Sequence, residues 1–189
     1  MSLQALLTIL PDPFYTRITN IWIDLEKRFG IKWIKENVPF PHITWNVAEK
    51  YNTENFEQTL KNSLKNLVSI NIKTEGLGIF TGEKIVLYLP IKPSKEVLEF
   101  HEFFWNLVNL NQTKLNKYYA PTNWFPHITL AVEDINKENI GQVVNYLSDK
   151  KFKYNIKLES VSIVQRELGK EVIIKNTFGI PKKPKTRNN

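Results

Sequence analysis

The chain has 189 residues and a net charge of +7; 42% of its side chains are hydrophobic and 12% aromatic. That length and apolar content suit a core of ordinary domain size and exclude a chain disordered throughout. Cysteine is absent, so disulfides and thiolate chemistry are excluded, and no apolar run approaches the roughly 18 residues of a membrane span.

Four of the seven surplus charges fall in the last nine residues, PKKPKTRNN, and three remain on residues 1–180. Residues 181–189 therefore read as a basic, disordered tail, and residues 1–180 as one folded unit that is only mildly basic. The opening MSLQALLTILPDPF lacks a basic n-region and a small-residue cleavage site. It reads as a strand rather than a leader, with the cytosol as the expected location.

In chain order, LLTILPDPFYTRITNIWIDLEKRFG gives an apolar strand, a Pro-x-Pro turn and a helix. A loop then ends in Phe40-Pro41-His42-Ile43-Thr44. NTENFEQTLKNSLKNL has helical spacing, and SINIKTEGLGIF alternates like a strand. KIVLYLPIKPSKEVLEFHEFFWNLVNL repeats the strand, the two prolines and the helix. A longer loop, NLNQTKLNKYYAPTNW, leads to Phe125-Pro126-His127-Ile128-Thr129. NKENIGQVVNYLSDKK and KYNIKLESVSIV complete the second half, and EVIIKNTF closes a last strand pair across QRELGK, as KIVLYLPI does across FTGE. Each half thus reads strand–helix–strand–helix–strand. The expected fold is α+β and bilobal, with a pseudo-twofold axis, two mainly antiparallel sheets facing a central cleft, and helices outside.

The repeated FPHIT carries two of the three histidines. A repeated pentapeptide is expected by chance in only about one chain of this size in a hundred. Both copies keep His and Thr while the residues that follow diverge. On a strand, alternate residues share a face, so Phe40, His42 and Thr44 point together, as do Phe125, His127, Thr129 and Ala131. Two converging His-x-Thr faces suit in-line attack on a phosphodiester. One neutral imidazole takes a proton from the nucleophile, one imidazolium gives a proton to the leaving oxygen, and the hydroxyls bond the non-bridging oxygens. The catalytic candidates are His42, Thr44, His127 and Thr129. No local spacing supplies a metal site, and no cofactor is expected.

Phe40 and Phe125 on the histidine face, and Tyr119 and Trp124 (with Tyr118) in the longer loop, are candidates for holding a base or sugar. His101 lacks a Thr two residues on and reads as a packing histidine. Gly76 and Gly78 read as a bend or a close backbone approach. Spacing does not single out a phosphate-holding cation; Lys84 and Arg166, near the strand–turn–strand segments, are the ones named for that role.

Paired His-x-Thr motifs half a chain apart resemble the 2H phosphoesterase superfamily, which includes 2′–5′ RNA ligase-like proteins and RNA 2′,3′-cyclic phosphodiesterases. The resemblance spans about residues 3–180. It implies the bilobal fold, a metal-free cleft and RNA or nucleotide cyclic phosphates as substrate, with a 2′-phosphate as product. It also implies His127 as base and His42 as acid, a choice on which the residues themselves are symmetric. Many relatives follow the second motif with arginine, His-x-Thr-Leu-Ala-Arg, where this chain has Val132. RNA end joining, another cyclic or 2′–5′ linkage, and an RNA-binding module without catalysis stand as alternatives.

Overall fold

The computed structural model describes residues 2–51, 56–111, 114–167 and 169–182. Of the tail expected at 181–189, Pro181 and Lys182 are described, the Pro181 carbonyl accepting from the Ser69 N–H at 2.8 Å and Lys182 facing Glu159 at 3.9 Å. Residues 183–189 lie outside the described residues. Two amphipathic helices supply most of the layer behind the sheets. In α1 (Phe14–Phe29), Ile18, Ile21, Trp22 and Leu25 are buried at spacings of three and four, and Gly30 closes the helix at φ 70 with its N–H on the Glu26 carbonyl. In α4 (Lys95–Asn109), Val97, Phe100, Phe104 and Val108 do the same, after a Ser94 cap that accepts from the Val97 N–H. The other helices are α2 (Trp33–Asn37), α3 (Phe56–Ser63) and α5 (Ile140–Ser148).

Nine strands make three antiparallel sheets among the described residues. Strands β1 (Ser2–Ile9), β2 (His42–Ala48), β8 (Ser160–Glu167) and β9 (Ile173–Gly179) are ordered β2-β1-β8-β9. Strands β4 (Gly78–Phe80), β5 (Val86–Pro90) and β6 (His127–Val132) are ordered β4-β5-β6. The third sheet is a ribbon of β3 (Ile70–Thr74) and β7 (Tyr154–Leu158). The two larger sheets take the place of the two expected, and the ribbon is an addition to that expectation.

The ribbon identifies the symmetry. Its register pairs Asn71 with Lys157, Ile72 with Ile156 and Lys73 with Asn155. The repeated tripeptide Asn-Ile-Lys thus pairs antiparallel with itself, as a twofold axis through Ile72 and Ile156 requires. The halves also exchange elements. Strand β8 of the second half pairs with β1 of the first, and β4 of the first pairs with β5 of the second. Helix α1 packs behind β6 and α4 behind β2. One continuous core results, and Trp22, Trp45, Phe104 and Leu130 are among its buried residues.

Candidate active site

Strands β2 and β6, which begin at the two histidines, are each an edge of their sheet and run close to one another without pairing. The sequence motifs therefore meet at the seam between the sheets. The side chains of His42 and Thr44, and of His127 and Thr129, are half-buried while Ile43 and Ile128 are buried, so both His-x-Thr faces form as the alternation predicts.

The alternation then breaks at the same place in both halves. In the β1–β2 ladder Leu6 pairs with Asn46 and Leu7 with Thr44, so Trp45 is an extra residue. In the β5–β6 ladder Leu87 pairs with Ala131 and Tyr88 with Thr129, so Leu130 is extra. Each bulge shifts the faces by one. Ala131, expected beside His127, is fully buried instead, and the histidine side passes to Val47 in one half and Val132 in the other. At position 132, where the family resemblance implies arginine, Val132 is half-buried and packs against the core.

The indole N–H groups of two tryptophans meet the motif backbone beside the bulges. Trp124 donates from Nε1 to the Thr44 carbonyl at 3.1 Å, and Trp22 donates to the Thr129 carbonyl at 3.3 Å. Each tryptophan comes from the opposite half of the chain. Carbonyls with no ladder partner at a buried bulge need such donors, and these two also tie the motifs to both halves. The second-half loop further covers the β2 edge, with the Asn116 N–H on the Val47 carbonyl at 3.0 Å and a bridge from Leu115 to Ala48.

Both imidazoles are held alike. His42 Nδ1 lies 2.9 Å from the Phe40 carbonyl and His127 Nδ1 lies 2.7 Å from the Phe125 carbonyl. A carbonyl only accepts, so Nδ1 carries the proton and Nε2 is left as the free nitrogen of the neutral ring. Burial pushes His42 down to about 4, opposed by the Phe40 carbonyl and aided by the charge of His127. Burial also lowers His127, opposed by the Phe125 carbonyl.

The walls beside the two histidines differ. His42 and Thr44 line a groove of about 160 Å³ with Leu7, Val164 and Arg166. Phe40 is 6% exposed and packs with Leu7 and Val164, so it closes this wall rather than presenting an open ring. His127 stands against aromatic rings: Phe80 and Tyr88 each have centroids 5.2 Å from it. Phe125, 46% exposed, sits edge-on to both at 5.6 Å. Of the four aromatic candidates, Phe125 is the one with an open ring beside a histidine. Tyr119 is half-buried; burial raises its phenol, and the Thr44 side chain opposes that rise. Trp124 has its faces occupied by His101, stacked at 3.8 Å, and by Trp45 at 5.6 Å, so it supports Thr44 from behind. Tyr118 points away, 81% exposed.

Phe80 and Tyr88 escaped the sequence reading. The one signal for them is Gly78, which pairs with Tyr88 across the ladder. A Cβ at Gly78 would lie 2.3 Å from the Tyr88 ring, so glycine is what lets that ring lie over β4. Gly76 supplies the expected bend, at φ 75. Gly78→Ala must displace Tyr88 from Phe80 and His127, and we expect kcat/KM for the reaction proposed below to fall about tenfold or more, measured beside an unchanged far-UV spectrum.

His101 packs as expected, 1% exposed on α4. Burial lowers it to about 4 against the pull of the Tyr119 and Trp45 carbonyls. An unfolded histidine titrates near 6.5, so the unfolded chain gains a proton first as pH falls. His101 therefore contributes fully above about pH 6.5 and loses about 1.4 kcal/mol per unit between there and 4. The stability advantage of wild type over His101→Gln should shrink by about 2 kcal/mol between pH 7 and 5 in urea titrations.

The two-lobed α+β fold is shared with several solved structures. E. coli LigT complexed with 3′-AMP superposes with a TM-score of 0.61 at 10% identity, covering 96% of this chain and 99% of that one. LigT complexed with ATP gives the same values, and a structure described as a phosphoesterase gives 0.62 at 11%, covering 95% and 98%. The model of the 2′-5′ RNA ligase superfamily matches residues 10–170, and the chain belongs to that family. No curated protein sequence is recognisably similar to it. Among the described residues, no helix is long and apolar enough to cross a membrane.

Proposed function

We propose that the protein is a metal-independent phosphodiesterase that opens 2′,3′-cyclic phosphates on RNA ends or nucleotides to 2′-phosphomonoesters. The observation that carries this reading is the pair of imidazoles on abutting strands, each with Nδ1–H tied to a carbonyl and Nε2 free. His127 Nε2 takes a proton from water as the water oxygen bonds to phosphorus. The bond from phosphorus to the ribose 3′-oxygen breaks, and that oxygen takes the proton from His42 Nε2–H. Thr44 and Thr129 donate to the non-bridging oxygens, whose charge grows in the transition state. The choice of base and acid follows the family resemblance. Membership of the superfamily supports a phosphodiesterase-type role, and the 3′-AMP and ATP bound by E. coli LigT are in keeping with a nucleotide substrate.

The test is hydrolysis of a nucleoside 2′,3′-cyclic phosphate and of a cyclic-phosphate-ended RNA oligomer in EDTA. The pH profile adds a second readout. Burial disfavours the imidazolium on both histidines in the free protein, with His42 at about 4. The required acid is thus protonated only well below pH 6.5, and kcat/KM should fall as pH rises from 5 to 8. Bound phosphate favours the imidazolium, so kcat should fall later, at higher pH. A kcat/KM that rises across that range contradicts the assignment.

A further inference from the structure

The groove beside His42 has a feature that opening a lone cyclic phosphate does not use. It extends along β1 as an aliphatic run, lined by Leu7, Ala5 and Leu3, and ends at Arg166 on β8. Thr44 pairs with Leu7 and Arg166 pairs with Leu3, so four residues of β1, about 13 Å of strand, separate the two rungs. Besides His42, Arg166 is the ionisable side chain lining the groove among the described residues.

The guanidinium is held ready and left short of an anion. It lies over the Trp33 ring, 5.5 Å from the centroid, and donates from Nη2 to Asn37 Oδ1 at 2.9 Å. Both partners belong to α2, whose first N–H groups, on Lys32 and Trp33, are capped by Asp134 Oδ2 at 2.6 Å each. Among the described residues no carboxylate lies within ion-pair distance of Arg166. Its neighbour in the sequence reading, Lys84, is instead paired with Glu133 at 2.5 Å. A planar fork with donors to spare, fixed by a ring and an amide, suits a phosphate. The aliphatic run between Arg166 and His42 offers no anion site of its own but can lie against a sugar.

We propose that Arg166 binds the phosphate on the 5′ side of the reacting nucleotide, which makes the substrate class an oligonucleotide or a 5′-phosphorylated nucleotide rather than a bare nucleoside cyclic phosphate. This rests on the reaction proposed above. Arg166 is a specificity-determining residue and takes no part in bond breaking.

The test compares wild type, Arg166→Gln and Arg166→Lys on three cyclic phosphates: a nucleoside with a 5′-hydroxyl, the same nucleoside with a 5′-phosphate, and a dinucleotide. Arg166→Gln should raise KM about 10–100-fold on the two substrates that carry the 5′-side phosphate and leave their kcat in place. It should leave the nucleoside substrate unchanged, and Arg166→Lys should recover part of the loss. Equal losses on all three substrates, or none on any, would overturn the assignment. Fluorescence anisotropy with labelled 5′-phosphoryl and 5′-hydroxyl nucleotides measures the same preference without turnover. If wild type hydrolyses nothing, the reaction is refuted, and a 5′-phosphate preference lost in Arg166→Gln would still uphold the phosphate site. Absence of that preference in wild type would refute the site as well.

Discussion

His42→Ala and His127→Ala should each lower the rate of the proposed cyclic phosphate opening about 10²–10⁴-fold, the range for losing a positioned general acid or base. The fold tolerates both changes, because each imidazole is half-buried at a sheet edge and its one polar tie is to the carbonyl two residues back. Thermal melts within a few degrees of wild type should accompany the loss. Retained activity in either variant would show that the reaction proceeds without that imidazole. Thr44→Val and Thr129→Val should have smaller effects, since each removes one of several donors to the non-bridging oxygens.

Trp45→Ala has the largest expected effect on stability, about 3–5 kcal/mol, seen as a melting midpoint lower by about 10 °C. Trp45 is fully buried and is the bulged residue that follows the first motif. Its ring meets Phe100 at 5.0 Å, Phe104 at 5.7 Å and Trp124 at 5.6 Å. Its Nε1–H bonds the Thr8 hydroxyl at 2.9 Å, and that hydroxyl donates to the Ser160 carbonyl at 2.8 Å. The substitution opens a cavity where both halves meet and frees the bulge that aims Thr44. A loss below 1 kcal/mol would mean that the core closes over the gap and that the bulge does not depend on this ring.

The two halves and their motifs were legible because short identical words, FPHIT and Asn-Ile-Lys, fall on elements with clear periodicity. The self-pairing of Asn71–Lys73 with Asn155–Lys157 is the structural counterpart of that second word. The pairing of β4 with β5 was legible as a hairpin across FTGE, whereas that of β8 with β1 was not, because hydrophobic alternation fixes which face of a strand is buried and not which strand lies beside it. The bulges at Trp45 and Leu130 escaped for a related reason. Both are apolar residues followed by a buried residue, and the period-two reading carried on past them to place Ala131 beside His127. Phe40 and Trp124 are aromatic residues near the motifs whose exposure depends on packing from distant parts of the chain. Phe80 and Tyr88 reach His127 through a ladder that begins at a single glycine, a signal too short to read without the partner strand.

The proposed chemistry requires His42 and His127 to act as one unit on one phosphate. Its most direct test is the rate of 2′,3′-cyclic phosphate opening in EDTA by wild type, the two single alanine variants and the double variant. Groups that act together lose little more when both are removed than when one is. The double variant should therefore fall within about tenfold of the slower single variant. Losses that multiply in the double variant, or a single variant that keeps the wild-type rate, would contradict it.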